Sequence, residues 1–484
     1  MKKFIEVIKL LIPLGLILFF TNGRWVIPIA VWISTPLLLR LSRELKLLSV
    51  VLIITPLLFI VNLIIWKNII PLPVPLYQIV SLITSIFTLI PFLIDGLLYQ
   101  KTNRTLSILI FPLSFVSFHF IFSKISPSGT FGSIAYTQTN IYLLQIISIT
   151  GIWGIIFLIG LFSSLINYAY EYRSNPKEFR QAILILACII ILPLIYGFIR
   201  MHSGNENIST VKTAGLLNEF HFNKRVDRNI VEFDSVSLNQ QNQLLDRTIQ
   251  SARKGAKFVV WQEAALFIRK NREKQLIECA GKIAKENRIN IGAAVLSVPD
   301  NFPNSPAENK IIWINPDGEV AFEYIKGFPT PDEFVIRGNR IFQYTNSKYG
   351  EIGSFICFDM NFPDYIKQAG KEGIHILFVP SNDWKEITPY HTKLASFRAI
   401  EQGFNLFRVT GHGYSAAYDV YGNELASFNF YKEKGNEIYA DIPFNNIKTI
   451  YSSVGDLFFW CCIVSLFISL AYIFFYKKYF SRPG

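Results

Sequence analysis

The sequence predicts two kinds of structure in one chain: a multi-span α-helical membrane domain and a layered α/β domain outside the cytoplasm. Three observations support this. Residues 1–200 consist mostly of long apolar runs, and residues 201–455 have an ordinary globular composition. A last apolar run, "LFFWCCIVSLFISLAYIFFY", fills 457–476. We therefore divide the 484 residues into a membrane domain (1–200), a globular domain (201–455) and a closing helix with a short tail (456–484).

The apolar runs are long enough to be membrane-spanning helices. A helix of about 20 residues crosses the ~30 Å hydrocarbon core of a bilayer. A cleaved signal peptide would explain one such run but not the others. We predict seven spans before the globular domain and one after it: 5–20, 25–40, 47–65, 74–98, 105–123, 141–168, 181–199 and 457–476.

The distribution of basic residues predicts the orientation of these spans. If the N-terminus is cytoplasmic, the cytoplasmic segments carry 13 Lys and Arg, whereas the short outside loops carry only Arg24, Lys67 and Lys124. Cytoplasmic loops are enriched in basic residues, so this orientation is favoured. The odd number of spans then puts the globular domain outside the cytoplasm, with both termini in the cytoplasm.

The net charge of +12 does not indicate a nucleic-acid-binding protein. Residues 201–455 hold 29 basic and 29 acidic residues, so the globular domain is close to neutral. The excess lies in the membrane part, where it fits contact with anionic lipid head groups. We expect a membrane-embedded monomer that binds no nucleic acid.

The five cysteines do not form a disulfide framework. Cys188, Cys461 and Cys462 lie inside predicted spans, where a thiol is usually a small apolar side chain. Cys279 lies in an amphipathic helical pattern, and Cys357 lies at the end of an apolar run. The spacing matches no metal-ligand motif, and we expect neither a metal nor a cofactor.

The globular domain alternates strand and helix patterns. In chain order we predict a strand at 210–217, a helix at 239–256, a strand at 257–263, a helix at 272–288, a strand at 289–298, a hairpin at 310–326 that turns at 315–318, a strand at 351–358, a helix after Pro363, a strand at 375–383, a helix at 390–403, and strands at 405–411 and 414–422. Interleaved helices and long strands favour layered α/β sheets over a barrel.

Three reactive side chains lie where predicted strands end. Glu263 follows "KFVVWQ", Lys326 ends the hairpin, and Cys357 ends "SFIC". Together they are suited to acyl transfer: Glu263 would accept the thiol proton, Cys357 would attack as the thiolate, and Lys326 would stabilise the oxyanion. Taken singly, each has an ordinary interpretation as a buried thiol, a solvated carboxylate or a hairpin charge.

The segments "VVWQEAA", "YIKGFPTPDEF" and "ICFDMNFP" resemble the Glu-Lys-Cys signatures of the nitrilase superfamily of carbon–nitrogen hydrolases. The stretch from "FVPSNDW" to "YDVYG" and the stretch at 128–166 are similar to the membrane-bound branch of that superfamily, the apolipoprotein N-acyltransferases. The resemblance covers nearly the whole chain. It implies an α-β-β-α sandwich between seven spans and one closing span.

The resemblance also implies a reaction and further site residues. A phospholipid would donate an acyl chain to Cys357 as a thioester, and the α-amino group of a diacylglyceryl-cysteine on an apolipoprotein would accept it. Glu333 would orient Lys326 and Glu263, and Asp359 would hold the loop after Cys357 or contact substrate. Phe358 and Trp384 are supporting or substrate-binding candidates, and Trp384 could equally be a core aromatic.

The chain departs from the family pattern at several positions. It has Gln262 where Pro is usual, and Phe358 and Asp359 where Tyr and Glu are usual. The segment "AGLLNEFHFNKRV" (214–226) and Lys385 also differ from the pattern. These departures concern substrate-contacting segments more than the three reactive residues, so they bear on the donor and the acceptor.

Three more features have ordinary interpretations. Arg398 and Glu401, three apart on one helix, predict a surface or subunit ion pair, and His391 predicts a polar lid or cap residue. His119 lies within a span and is either functional or a packing residue.

Three functions remain open. A phospholipid-dependent lipoprotein N-acyltransferase is favoured, because eight spans suit a substrate that lives in the bilayer. A membrane-tethered nitrilase-type amidase would need only one anchor. A scaffold without activity would not require the three reactive residues.

Overall fold

The computed structural model describes residues 2–101, 104–203, 209–218 and 230–480. The chain forms two compact units, one of Met1–Ser203 with Val454–Gly484 and one of Gly204–Ser453. The first is helical and the second is α/β. The predicted fold class, a multi-span helical membrane domain plus an α/β domain, is confirmed.

The helical unit is built from long apolar helices joined by short loops. They are α1 (Lys2–Leu18), α2 (Pro28–Glu44), α3 (Leu47–Ile65), α4 (Val74–Leu98), α5 (Arg104–Ile125), α6 (Ile141–Leu144), α7 (Ile147–Thr150), α8 (Ile152–Glu171) and α9 (Pro176–His202), with α15 (Leu457–Phe480) at the end of the chain.

Within the described residues, six helices are long and apolar enough to cross a membrane. They are Leu47–Ile65, Val74–Lys101, Leu106–Ile125, Ile152–Glu171, Pro176–His202 and Leu457–Phe474. The predicted spans 5–20 and 25–40 coincide with α1 and α2, helices of 17 residues each, and their role as spans stays a prediction.

The predicted span 141–168 is wrong as one continuous helix. It begins with two single turns, α6 and α7, and the long helix α8 starts only at Ile152. Gly151 separates them with φ 62° and ψ −172°, a backbone conformation that is essentially restricted to glycine. The residues before and after Gly151 are mostly buried and apolar, so the apolar run in the sequence does not reveal the break.

A buried ion pair joins three helices of this unit. The Arg43 guanidinium of α2 donates to both carboxylate oxygens of Asp95 on α4, at 2.7 and 3.0 Å. It also donates to the Ser107 carbonyl of α5 at 3.3 Å. Such a bidentate pair fixes the direction of both side chains as well as balancing their charges.

The α/β unit contains thirteen strands in its described residues. They are β1 (Thr210–Leu216), β2 (Phe258–Trp261), β3 (Leu266–Arg269), β4 (Asn290–Val298), β5 (Glu308–Ile314), β6 (Val320–Ile325), β7 (Gln343–Ser347), β8 (Gly350–Ser354), β9 (Ile376–Asn382), β10 (Asn405–Gly411), β11 (Tyr414–Tyr418), β12 (Glu424–Asn429) and β13 (Glu437–Pro443). The helices of this unit are α10 (Ile230–Arg253), α11 (Glu273–Asn287), α12 (Pro363–Lys371), α13 (Tyr390–Gln402) and α14 (Ile450–Val454).

The strands form two sheets. The first has the order β13-β1-β2-β4-β5-β6, with β3 also paired to β4, and the second has the order β12-β11-β10-β9-β8-β7. In each sheet the central strands are parallel: β1, β2 and β4 in the first, β8, β9 and β10 in the second. The carboxyl ends of parallel strands meet at one edge of a sheet, which is where reactive residues of α/β folds collect.

The two sheets pack face to face, with helices on their outer faces. Phe258 of β2 and Trp313 of β5 lie 5.2 and 4.9 Å from the ring of Phe378 on β9, measured between ring centroids. Leu244 of α10 and Leu276 of α11 are buried against the outer face of the first sheet. Helix α13 contacts β10 and β11 of the second sheet. The layers are therefore α-β-β-α.

Most of the predicted strands and helices exist, but four strands, β3, β7, β12 and β13, have no counterpart in the prediction. Strands β7 and β12 are mostly half-exposed or exposed, so they lack the continuous apolar run of the central strands. Their formation depends on pairing with a neighbouring strand, which a local pattern does not reveal.

Candidate active site

Glu263 lies two residues beyond β2, which ends at Trp261 rather than at Glu263 as predicted. The Glu263 amide donates to the Ser381 carbonyl of β9 at 3.3 Å, so this turn connects the two sheets. The next residue, Ala264, has φ 50°, a left-handed conformation that is strained for a residue with a Cβ. The tight turn directs the Glu263 side chain into the protein, where it is almost fully buried.

Lys326 directly follows β6 and is fully buried. Its Nζ donates to Glu263 Oε1 at 2.7 Å and to Glu333 Oε1 at 2.6 Å. Thr330 Oγ1 also donates to Glu333 Oε1, at 3.0 Å, and Glu333 Oε2 has no hydrogen-bond partner in the described part of the chain. Lys326 is thus held between two carboxylates from different loops.

Burial and the neighbouring charges act in opposite directions on these groups. Burial disfavours a charged Lys326, but the neighbouring carboxylates, Glu263 first, outweigh it and raise the pKa of Lys326 well above its ordinary value. The pKa of Glu333 is raised, first by burial and then by Glu263, although Lys326 partly offsets this. Lys326 therefore stays an ammonium at neutral pH.

Asn309 is a neighbour that the sequence reasoning missed. Its Nδ2 donates to Glu263 Oε1 at 2.8 Å, and its carbonyl accepts from the Lys326 amide at 2.9 Å. Asn309 lies on β5, the strand paired with β6. The available signal in the sequence was an uncharged polar residue at the start of the strand "ENKIIWI". It holds both the carboxylate and the backbone of the lysine.

Cys357 begins a 3-10 turn, Cys357–Asn361, three residues beyond the end of β8 at Ser354. The predicted strand at 351–358 is therefore too long. Cys357 has φ 47°, so the backbone takes the left-handed conformation at the thiol itself. Such a conformation in a residue with a side chain costs of order 1 kcal/mol or more and persists where the surrounding structure enforces it.

The thiol is 6% exposed. Burial, followed by the charge of Glu263, raises the pKa of Cys357 well above its ordinary value, while Lys326 lowers it. A thiol in this state needs a base at the moment of attack.

Asp359 anchors the turn that carries Cys357. Its carboxylate accepts from the Tyr324 hydroxyl at 2.6 Å, the Ile356 amide at 2.9 Å and the Phe328 amide at 2.8 Å. Burial raises the pKa of Asp359 to about 7, although these three donors partly offset the effect. The side chain connects the residue before the thiol with the loop after Lys326.

Phe358 and Trp384 are aromatic residues at the border of this region. The Phe358 ring is half-buried, with centroid distances of 5.9 Å to Phe362 and 6.4 Å to His391. Trp384 is half-buried and precedes a short 3-10 turn, Lys385–Ile387. Whether either ring contacts a lipid stays a prediction.

The other departures from the family pattern, and His119, lie in different parts of the structure. Gln262 accepts from the Asn218 amide at 3.0 Å, so it ties the end of β2 to the segment after β1. Of the segment 214–226, residues 219–226 lie outside the described residues. Lys385 is exposed. In the helical unit, the His119 ring packs edge-on against Phe115 at 4.7 Å.

His391 is buried, so the expectation of a polar lid or cap is wrong. Its Nδ1 lies 2.9 Å from Asp383 Oδ1, and its Nε2 lies 3.2 Å from Asn361 Oδ1. Arg408 of β10 pairs with both oxygens of Asp383, at 3.1 and 3.3 Å. Four polar side chains from four segments thus meet beside the Cys357 turn, and tertiary packing alone assembles them.

The expectation of a surface pair at Arg398 and Glu401 is also wrong. Both side chains are 0% exposed, and Arg398 Nε lies 3.1 Å from Glu401 Oε2. Helix α13 is buried on nearly all sides, so the i, i+3 spacing could not distinguish an exposed from a buried pair.

The described residues contain one group of three side chains that could ligate a metal ion: Cys357, Asp383 and His391, whose ligand atoms lie within 4.8 Å of one another. Both carboxylate oxygens of Asp383 already accept hydrogen bonds from Arg408. The guanidinium charge in contact with the carboxylate opposes a cation there, so the fit to a metal is poor.

Comparison with known proteins finds a matching family for each of the two units. The family model of the apolipoprotein N-acyltransferase N-terminal domain matches residues 14–165, and that of carbon-nitrogen hydrolase matches residues 231–451. The apolipoprotein N-acyltransferase of Geobacter metallireducens is 24% identical over 428 residues, covering 82% of this chain and 80% of that protein. That of Rickettsia typhi is 23% identical over 408 residues, covering 76% and 79%.

A solved amidase from Nesterenkonia sp. aligns at 16% identity with a TM-score of 0.41, covering 53% of this chain and 97% of that one. Both family models, in the order that the two units have along the chain, and the relatives over most of the chain lead to one assignment. The chain belongs to the apolipoprotein N-acyltransferase family, the membrane-bound branch of the carbon–nitrogen hydrolases.

Proposed function

We propose that this protein transfers a fatty acyl chain from a membrane phospholipid, through a thioester on Cys357, to the α-amino group of a diacylglyceryl-cysteine at the N-terminus of an apolipoprotein. The observation that carries the proposal is a buried thiol whose electrostatic neighbours are the Lys326–Glu263 ion pair. The family membership and the apolar helices supply the context of a lipid substrate.

In the first half-reaction, Glu263 accepts the Cys357 proton and the thiolate attacks the ester carbonyl carbon of the phospholipid. The Lys326 ammonium and the Phe358 backbone N–H stabilise the oxyanion that forms. The C–O bond then breaks, and the lysophospholipid oxygen leaves with the proton that Glu263 held. Glu333 holds Lys326 in place from the other side.

In the second half-reaction, the amine attacks the thioester carbonyl carbon, a C–N bond forms and the C–S bond breaks. A thioester intermediate suits an enzyme that must release one bulky substrate before it accepts the next. The same residues would also suit an amidase that hydrolyses a small amide, the runner-up. The named relatives and the multi-span helical unit favour the acyltransferase.

The test is detection of the acyl thioester by mass spectrometry of the purified protein incubated with phospholipid. We expect an acyl adduct on Cys357 in the wild type. The matched control is C279S, which removes the half-buried thiol of α11 and should carry the same adduct on Cys357. C357A should fold, insert and carry no adduct. Labelled acyl chains should then move to a diacylated lipopeptide. Full activity of C357A, or release of free fatty acid or ammonia in place of transfer, would contradict the proposal.

We further propose that the α/β unit lies on the periplasmic side of the cell inner membrane and that both termini are cytoplasmic. The basic residues support this, since they are concentrated in the segments that this orientation puts inside. An acceptor lipoprotein would then meet the enzyme after its export.

A further inference from the structure

A buried imidazole near the Cys357 sulfur has no part in the steps above. Cys357 Sγ, a carboxylate oxygen of Asp383 and a ring nitrogen of His391 all lie within 4.8 Å of one another. All three residues are buried. They come from three separate segments: the turn after β8, the end of β9 and the first turn of α13.

Asp383 fixes the tautomer of His391. The Asp383 carboxylate lies 2.9 Å from Nδ1, and a carboxylate oxygen at this distance from a bare nitrogen lone pair would be repelled. Arg408 Nη2 also lies 2.9 Å from Nδ1, and the same nitrogen donates to both oxygens of Asp383. We assign the proton to Nδ1, because an anionic oxygen facing a bare lone pair is less favourable than a guanidinium whose N–H groups face that oxygen. This assignment leaves the lone pair on Nε2. Asn361, four residues after the thiol, lies 3.2 Å from Nε2, and its amide can donate there after exchange of its oxygen and nitrogen positions.

The charged groups around His391 keep the imidazole neutral at rest. Burial and Arg408 lower its pKa, Asp383 raises it, and Lys326 lowers it further. The pKa of Asp383 is lowered by Arg408 and His391 despite its burial, so the carboxylate remains charged. A neutral imidazole oriented by a carboxylate is a competent general base, and the carboxylate stabilises the imidazolium that forms.

The second half-reaction contains a proton transfer that this group suits. The attacking nitrogen must lose a proton as its bond to carbon forms, and the departing sulfur must gain one to return to the resting thiol. Nitrogen and sulfur are bonded to the same carbonyl carbon in the tetrahedral intermediate. A base close to the sulfur can therefore reach both atoms.

We propose that His391, oriented by Asp383, carries this proton from the attacking amine to the Cys357 sulfur. The C–N bond forms and the C–S bond breaks; the proton passes from nitrogen to His391 Nε2 and then to the thiolate, and no other reactant is needed. Glu263 remains the base of the first half-reaction, where its Oε1 is already held by Lys326 and Asn309. This inference rests on the proposed function.

The experiment separates the two half-reactions. Labelled phospholipid is used to acylate the wild type, H391N and H375Q, and the Cys357 thioester is quantified in each. Transfer of the label to a diacylated lipopeptide is then followed in a single turnover. Asn at position 391 keeps a donor near Asp383 and cannot titrate. His375 is half-exposed beside Glu351 on another edge of the second sheet, so H375Q is the matched control.

We expect H391N to form the thioester as wild type does and to transfer it at least about 100-fold more slowly, the usual contribution of a general base. H375Q should match wild type in both steps. At acid pH, the transfer rate of wild type should fall with the titration of two groups, the amine and the imidazole. In H391N it should fall with the amine alone, so that the slope of log rate against pH is reduced from about two to about one.

Transfer by H391N at the wild-type rate, or an equal loss in both half-reactions with an unchanged pH slope, would overturn the inference and leave a structural role. If H391N does not accumulate, D383N gives the same comparison, because it removes the charge that stabilises the imidazolium. A wild type that forms no thioester would instead overturn the proposed function itself, so the two failures are distinguishable.

Discussion

At the scale of single residues, the candidate site depends on how a few buried polar atoms are satisfied. Glu263 Oε1 accepts two hydrogen bonds, from Lys326 and from Asn309. A carboxylate that accepts from a cation and an amide is fixed in direction, which a base needs if it is to meet one particular thiol. Asn309 is therefore part of the predicted machinery, although it has no acid–base chemistry of its own.

Substitution of Asn309 tests this dependence. We expect N309A to slow thioester formation by a factor of about 10 to 100, since it removes one hydrogen bond to a charged group, worth roughly 1.5–3 kcal/mol. N309D should be slower still, because it puts a second carboxylate in contact with Glu263 and disfavours the charge on both. Rates of Cys357 acylation measure this, and N309D as active as wild type would contradict it.

At the scale of elements, the turn after β8 and the loop after β6 are held together by one carboxylate. The Asp359 carboxylate accepts from a backbone amide of each segment, Ile356 before the thiol and Phe328 after Lys326. It also accepts from the Tyr324 hydroxyl, which lies 2.9 Å from the Tyr365 hydroxyl. The strained thiol turn is therefore held partly by its own hydrogen bonds, between Ile356 and Asp359. It is also held by hydrogen bonds to a segment about 30 residues earlier in the chain.

The raised pKa of Asp359 predicts a pH dependence of stability. In the unfolded chain the carboxyl ionises near pH 4, and in the folded protein near pH 7, so the folded state binds more protons in between. The stability that Asp359 contributes is fully present below about pH 4 and is lost as the pH rises through about 7. The full change is of order 4 kcal/mol.

The measurement compares the thermal unfolding of wild type and D359N between pH 5 and 8. We expect wild type to lose stability relative to D359N as the pH rises, because the amide does not titrate. D317N, at the exposed turn between β5 and β6, is the matched control. A constant difference for D359N would show that the carboxylate is not penalised in the fold.

The helical unit offers a second element-scale prediction, at the Arg43–Asp95 pair that joins α2 to α4. Removal of one partner leaves an uncompensated buried charge, which typically costs about 3–5 kcal/mol. We therefore expect R43M and D95L each to reduce the amount and the thermal stability of the protein in membranes. The double variant R43M/D95L should recover most of the lost stability. A double variant that is as unstable as either single variant, or that loses the sum of the two single losses, would contradict the interpretation.

At the scale of the whole molecule, the topology remains a prediction from charge. The proposed orientation is tested with single cysteines in a cysteine-free chain, at two exposed lysines: K432C in the α/β unit and K177C in the first turn of α9. A membrane-impermeant thiol reagent should label K432C once the outer membrane is opened, and K177C only after the inner membrane is opened as well. The reverse pattern would place the catalytic unit in the cytoplasm.

The sequence by itself determined the features that depend on local pattern and composition. Apolar runs gave the long helices, alternating patterns gave the central strands, and three short motifs identified Glu263, Lys326 and Cys357 as candidates together. These features are local because hydrophobic burial and strand or helix periodicity act within about 20 residues.

Only the tertiary structure decided where side chains distant in the chain meet. From local spacing, Arg398 and Glu401 were predicted to lie on a surface and His391 in a lid or cap. The same reasoning assigned no role to Asn309, Asp383 or Arg408. All six are buried among partners from other segments, and strands β7 and β12 exist because neighbouring strands accept their hydrogen bonds. The physical reason is that burial and pairing are properties of the packed layers, and no stretch of sequence read alone contains its partners.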